Sequence, residues 1–201
     1  MDKVYILNAS KKLSTDTIID GIADIAALRN VGIKEVDCQG AISKIANQCY
    51  NPKRGQMDCD MFLDKIHNTN FMRRNPEEAK IITLDHDFYA PSLNWCFGGF
   101  NGTTNGLGYI QLSTARLQNE DHARDLVRHE LGHMFGAAPA GRPNTYEHLG
   151  SHCSNDLCVM QQKDTVQSAA KYAKQRKKLN VATFCGQCED DILNFVPRNK
   201  R

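Results

Sequence analysis

His129-Glu130-Leu131-Gly132-His133-Met134-Phe135-Gly136 is the stretch from which the rest of this chain is read. It lies in an apolar run long enough to form a helix. On an α-helix, residues i and i+4 share a face and are separated by about 6 Å along the axis. Two imidazoles at that spacing can meet on one Zn²⁺, each at about 2.0–2.1 Å. Glu130, one residue after the first imidazole, points beside such a metal rather than at it. From there a carboxylate can take a proton from a water and deliver it to a leaving amine.

A catalytic zinc site keeps three protein ligands and an open position, whereas four ligands close a structural one. A third ligand is therefore required. Gly136 is placed to end the helix in a left-handed conformation and turn the chain back. The compact solution would put a histidine three residues further on, but that position holds Pro139, which cannot coordinate. The ligand must come later, within or just after the stretch from Ala137 to Ser151, with its two prolines and two glycines. His148 and His152 are the candidates.

From the second of these the chain reads His152-Cys153-Ser154-Asn155-Asp156-Leu157-Cys158-Val159-Met160, with Cys185-Gly186-Gln187-Cys188 downstream. The N-terminal Met1-Asp2-Lys3 is followed by only four apolar residues, too few for a signal-peptide core. No run approaches a transmembrane span. A cytoplasmic, reducing location is expected, and there a Cys-x4-Cys with a distant Cys-x-x-Cys reads as a metal site rather than a disulfide framework. Cys38, Cys49, Cys59 and Cys96 lack ligand spacing and read as buried free thiols.

A histidine abutting a cysteine, then Cys-x4-Cys, a methionine two residues on and a later Cys-x-x-Cys form a specific arrangement. It resembles the archaemetzincins, a metzincin-type family of zinc peptidases. Their core runs His-Glu-x-x-His-x-x-Gly-x-x-His-Cys-x4-Cys-x-Met, then a spacer and Cys-x-x-Cys. Ile82 to Pro91, Asn94 to Gly99 and Ser113 to Leu117 resemble the strands and loop that precede the family's active-site helix. The resemblance implies that His129, His133 and His152 hold a catalytic zinc and that Glu130 is the general base. It implies a second, structural zinc on Cys153, Cys158, Cys185 and Cys188, so two Zn²⁺ per chain, and a turn at Met160 flooring the catalytic metal. Ala137 to Ser151 is an insertion relative to the compact pattern.

The expected function is that of a zinc-dependent metalloprotease. A water on the His₃-bound zinc would hydrolyse a peptide bond of a peptide or protein substrate, with Glu130 as general base. The competing reading is a non-catalytic, zinc-stabilised module that binds peptides or nucleic acid. Its support is the basic run Lys171, Lys174, Arg176, Lys177 and Lys178, which could also offset part of the charge of four thiolates. Such a run is more ordinarily a solvated helix face. A formal net charge of +2 and 7% aromatic residues argue against a nucleic-acid surface. No membrane association is expected, and the chain is expected to be a monomer.

The 201 residues suit one catalytic domain, with an upper subdomain of about 1–136 and a lower, zinc-stabilised subdomain of about 137–201. Val4–Leu7, Ile33–Val36, Lys80–Leu84 and Gly108–Ser113 read as strands. Ile18, Ile19, Ile22, Ile25 and Ala26 repeat at helical spacing, residues 56–68 form a second helix, and Asp121–Phe135 carries the histidine pair. This order predicts an α/β (α+β), metzincin-like fold. It comprises a twisted, mostly parallel sheet with backing and active-site helices, and a small C-terminal subdomain around the Cys₄ zinc site. The resemblance adds an antiparallel edge strand within Gly98 to Ile110, where an extended substrate could pair. His86 and His122 are expected to lie outside the ligand set.

Overall fold

The computed structural model describes residues 3–25, 28, 30–74, 78–90, 93–103 and 106–195. In chain order the elements are β1 (Lys3–Asn8), α1 (Thr15–Ala23), β2 (Gly32–Glu35), α2 (Gln39–Gln48), β3 (Tyr50–Asn51), β4 (Gln56–Asp58), α3 (Cys59–His67) and α4 (Asn70–Arg74). Then come β5 (Ala79–Leu84), β6 (Phe88–Ala90), β7 (Leu93–Cys96), β8 (Gly98–Thr103), β9 (Gly106–Ser113) and α5 (Glu120–Met134). The chain finishes with β10 (Thr145–Glu147), β11 (Ser151–Cys153), α6 (Val166–Leu179) and α7 (Gly186–Leu193). Two compact units result, one of Met1–Thr15 and Val31–Arg116, the other of Asp16–Asn30 and Leu117–Arg201.

The first unit is built on a five-stranded sheet of order β2-β1-β5-β9-β8. The first four strands run parallel, and β8 joins antiparallel to β9, with Gly98 opposite Leu112 and Phe100 opposite Ile110. Every residue of central β5 is buried, as a parallel strand covered on both faces requires. That includes Lys80, 2% exposed, whose Nζ donates to the Glu78 carbonyl at 2.6 Å. Burial pushes its pKa down to about 8. Ile82 and Leu84 pack with Leu7, Ile42, Phe62 and Phe88.

A second sheet, of order β3-β4-β6-β7, comes from strands of two to four residues. It corrects the expected helix over 56–68. Residues 56–58 pair as β4, and the helix starts only at Cys59, where the Asp58 side chain accepts the Met61 N–H at 3.0 Å. An Asp at that position ends the strand and opens the helix in one step.

In the second unit α1 lies against α5. A Cβ on Gly21 would come within 2.8 Å of Val127 Cγ1, so the absent side chain sets how closely the helices approach. Arg124 pairs with Asp20 at 3.5 Å, and Arg128 pairs with Asp24. Asn119 caps α5 by accepting the His122 N–H at 3.0 Å, and Glu120 and Asp121 complement the helix dipole in the first turn. At the other end Gly136 has φ +73°. Gly136 N–H bonds to the His133 carbonyl at 3.1 Å and Ala137 N–H to the Gly132 carbonyl at 2.8 Å. This is the Schellman arrangement that the glycine predicts.

α6 opens on a capping box between Thr165 and Ser168 and ends at left-handed Asn180. Its basic run faces α5 in part: Arg176 Nε donates to Asp125 at 3.0 Å and Lys177 Nζ to Asp121 at 2.9 Å. Those two cations are thus committed to carboxylates rather than to the cysteine sulfurs. Ala26 and Pro91 lie outside the described residues. Among the described residues no helix is long and apolar enough to cross a membrane.

Candidate active site

α5 delivers His129 and His133 to one side of the helix, where their Nε2 atoms lie 3.1 Å apart. Two ligand nitrogens on a tetrahedral Zn²⁺ would be separated by about 3.3–3.4 Å, given Zn–N of about 2.0–2.1 Å. The third imidazole arrives on the β10–β11 hairpin, in which Tyr146 pairs with His152 across the strands. Ring centroids are 4.8 Å apart for His129–His133, 5.3 Å for His129–His152 and 4.9 Å for His133–His152. The three rings bring one ligand nitrogen each to within 4.8 Å of the others. His148 sits in the exposed hairpin turn, its N–H on the Gly150 carbonyl at 2.9 Å, and stays out of this cluster.

Backbone carbonyls orient two of the rings. His129 Nδ1 donates to the Val159 carbonyl at 2.8 Å, and His152 Nδ1 to the Gly150 carbonyl at 3.2 Å. Each bond leaves Nε2 with a free lone pair, the form in which imidazole coordinates a metal. Burial reinforces this by disfavouring the charged rings: His129 is pushed down to about 4 and His133 to about 2, with neighbouring imidazoles adding to the shift of His133. Three neutral imidazoles converging nitrogen to nitrogen fit one divalent cation.

Glu130 follows His129 on the helix and is only 7% exposed. Desolvation raises its pKa to about 8. It does not join the ligand cluster. Met160 is fully buried, and a Cβ on Gly132 would collide with its Sδ while lying 3.1 Å from Phe184 Cε1. The thioether therefore occupies space that any residue larger than glycine would fill in the middle of the His-Glu-x-x-His turn.

Cys153, Cys158, Cys185 and Cys188 form the second cluster, their sulfurs within 4.8 Å of one another. Cys153 and Cys185 are 3.7 Å apart at Sγ. A disulfide would bring them to about 2.05 Å, while two thiolates on a tetrahedral Zn²⁺ at about 2.3 Å would sit about 3.8 Å apart. The donor set and spacing fit a zinc ion. Backbone N–H groups point at the sulfurs: Asn155 N at 3.4 Å from Cys153 Sγ and Cys185 N at 3.4 Å from Cys158 Sγ. Cys158 is pulled down to about 5, first by the Cys188 thiol and, against burial, by backbone N–H groups. Cys185 is the N-cap of α7, so Cys185 and Cys188 sit at the positive end of a helix dipole.

The two clusters share one segment. His152 and Cys153 are consecutive; the Cys153 N–H bonds to the Met160 carbonyl at 3.0 Å, and Val159, between Cys158 and Met160, supplies the carbonyl that orients His129. Sequence reasoning missed three participants. Arg142 reaches Cys188 Sγ through Nη2 at 3.5 Å, Asp191 accepts from Arg142 at 2.6 Å, and the Tyr146 ring lies 6.0 Å from His152. An arginine and an aspartate 49 residues apart carry no local signal of their pairing.

No protein-family model matches the chain. It is similar, at 26% identity over 194 residues, to an archaemetzincin of Nanoarchaeum equitans, the alignment spanning 95% of this chain and 89% of that relative. The chain is archaemetzincin-like. Its fold matches the crystal structure of the archaemetzincin from Methanopyrus kandleri with a TM-score of 0.66 at 20% identity, covering 100% of this chain and 96% of that one. A zinc-dependent peptidase from Methanocorpusculum labreanum matches with a TM-score of 0.62 at 16% identity, over 94% and 99% of the two chains. The mixed architecture, a largely parallel sheet with helices, is the one these structures share.

Proposed function

We propose that this protein is a zinc-dependent peptidase, with His129, His133 and His152 holding a catalytic zinc and Glu130 acting as general base. The observation that carries the proposal is the convergence of three imidazoles on one point, with the buried Glu130 next in sequence to one of them. A zinc ion held there would polarise a substrate carbonyl and bring the pKa of a coordinated water toward about 7. Glu130 takes a proton at a carboxylate oxygen from the attacking water and returns it to the leaving amine nitrogen. The Val159 and Gly150 carbonyls hold the His129 and His152 rings in one tautomer throughout. Met160 packs beneath the helix turn and limits how far the imidazoles can shift.

A second zinc on Cys153, Cys158, Cys185 and Cys188 is part of this proposal, with a structural role. So are a cytoplasmic location and a monomeric state. The alternative, a zinc-stabilised module that binds without cutting, finds less support. Arg176 and Lys177 are engaged with α5 carboxylates, and a purely structural metal gives Glu130 no task. The deciding experiment is hydrolysis of a fluorogenic peptide library by the zinc-loaded chain, with and without chelator. Glu130→Ala should keep both metals and lose at least about 10²-fold in rate. Wild-type turnover by that variant, or cleavage unaffected by chelator, would refute the mechanism.

A further inference from the structure

The Ala137–Ser151 insertion has no counterpart in the compact ligand pattern, yet it is tied repeatedly to the four-cysteine cluster. Ala138, with a left-handed φ of 53°, donates its N–H to Asp191 Oδ2 at 2.9 Å. Arg142 Nη1 reaches the same oxygen at 2.6 Å, while Nη2 reaches Cys188 Sγ at 3.5 Å. Asn144 Nδ2 donates to Gln187 Oε1 at 3.3 Å, and the Asn144 carbonyl accepts Ser154 N–H at 2.9 Å and Ser154 Oγ at 3.0 Å. The side chains of Arg142 and Asp191 are only 13% and 16% exposed. Cys188 is fully buried.

Four thiolates around one dication carry a net charge of −2, which is costly to bury without a nearby cation. The basic run of α6 commits Arg176 and Lys177 to other carboxylates. Arg142 is different: its planar fork bridges a ligand sulfur and a carboxylate of α7, the geometry in which guanidinium surpasses ammonium. Partners of this outer kind alter metal affinity by about 10–100-fold.

We propose that Arg142, braced by Asp191, is a positioning residue for the four-cysteine site: it offsets the charge of the thiolate–metal cluster, sets how tightly the metal is retained, and through that anchorage holds the His152 hairpin in register. The inference rests on the zinc reading of the cluster. Its test uses the full chain loaded with cobalt(II), because thiolate-to-cobalt charge transfer reports on the four-cysteine site alone. Chelator challenge follows the loss of that band in wild type, Arg142→Ala, Arg142→Lys and Asp191→Asn.

Arg142→Ala should lose the band about 10–100-fold faster than wild type and shift its energy. Arg142→Lys should recover part of the retention because it keeps the charge, and Asp191→Asn should fall between Ala and wild type. Wild-type kinetics and band energy in Arg142→Ala would overturn the proposal, as would an Arg142→Lys no better than Ala. If Arg142→Ala fails to fold, Arg142→Lys and Asp191→Asn still decide the matter through the same band. A wild-type chain that shows no thiolate–cobalt band would instead remove the zinc reading beneath it, a failure of a visibly different kind.

Discussion

Gly132→Ala tests whether Met160 is packed against the active-site helix as closely as its contact with Gly132 requires. In an ordinary helix interior this change stabilises by about 1 kcal/mol, since alanine loses less backbone entropy than glycine. Here the new methyl would collide with Met160 Sδ and come within 3.1 Å of Phe184 Cε1 and 3.2 Å of Met160 Cε. Met160 is 0% exposed and Phe184 5%, so neither can swing into solvent. Overpacking of that kind costs about 1–3 kcal/mol, for a net loss of about 0–2 kcal/mol and a melting temperature lower by up to about 8 °C.

Thermal denaturation at a fixed zinc concentration measures this, because bound metal contributes to apparent stability. Met160→Ala alone should cost about 2–5 kcal/mol through the cavity it leaves. The double variant should cost less than the sum by about 1–3 kcal/mol, as the truncated side chain makes room for the methyl. A single Gly132→Ala variant that melts higher than wild type, with additive behaviour in the double, would refute the packing of Met160 against Gly132.

Cys185→Ser should lower zinc content by one ion per chain and reduce stability, because a structural zinc contributes folding free energy directly; elemental analysis with a denaturant titration checks both. His152→Ala should abolish binding of the catalytic metal, whereas His148→Ala, in the exposed turn, should leave metal content and hydrolysis near wild type. Lys80 gives a pH signature. Its folded pKa of about 8 lies below its ordinary 10.5, so the unfolded chain holds more protons between those values and stability climbs as pH rises through them. The climb amounts to about 3 kcal/mol. Lys80→Met should be more stable at pH 7, with an advantage over wild type that shrinks toward pH 10 in urea titrations; an advantage constant with pH would show that Lys80 is not held against its charge.

The parts of this fold that could be read in advance are those whose information is local. Asn119, the acidic first turn and Gly136 mark both ends of α5, and the spacing between them puts two imidazoles on one face. The all-buried β5 announces itself by composition, except at Lys80. Strands of two and three residues are a different matter: β3, β4 and β10 are too short to show a period, and they exist because other strands pair with them, β4 with β3 nearby and with β6 farther along the chain, and β10 with β11 across a hairpin. The start of α3 was misplaced, the expected helix over 56–68 running through the Asp58 that caps it, and the Thr165–Ser168 box that opens α6 was not read. At the candidate site every histidine and cysteine of the two clusters could be named from spacing and resemblance. The groups around them could not, since Arg142, Asp191 and the Val159 carbonyl acquire their positions only through tertiary packing.

One consequence of the β10–β11 hairpin concerns counting. Neighbouring side chains on a strand point to opposite faces, and β11 uses that alternation to send residue 152 to the nitrogen cluster and residue 153 to the sulfur cluster. Adding or deleting one residue within the paired segment would exchange the two faces and aim an imidazole at the thiols. Length changes that two descendants of this chain could tolerate should therefore fall in the turn around Leu149, or come in even numbers within the paired strands. Parity, more than length, is what the insertion has to conserve.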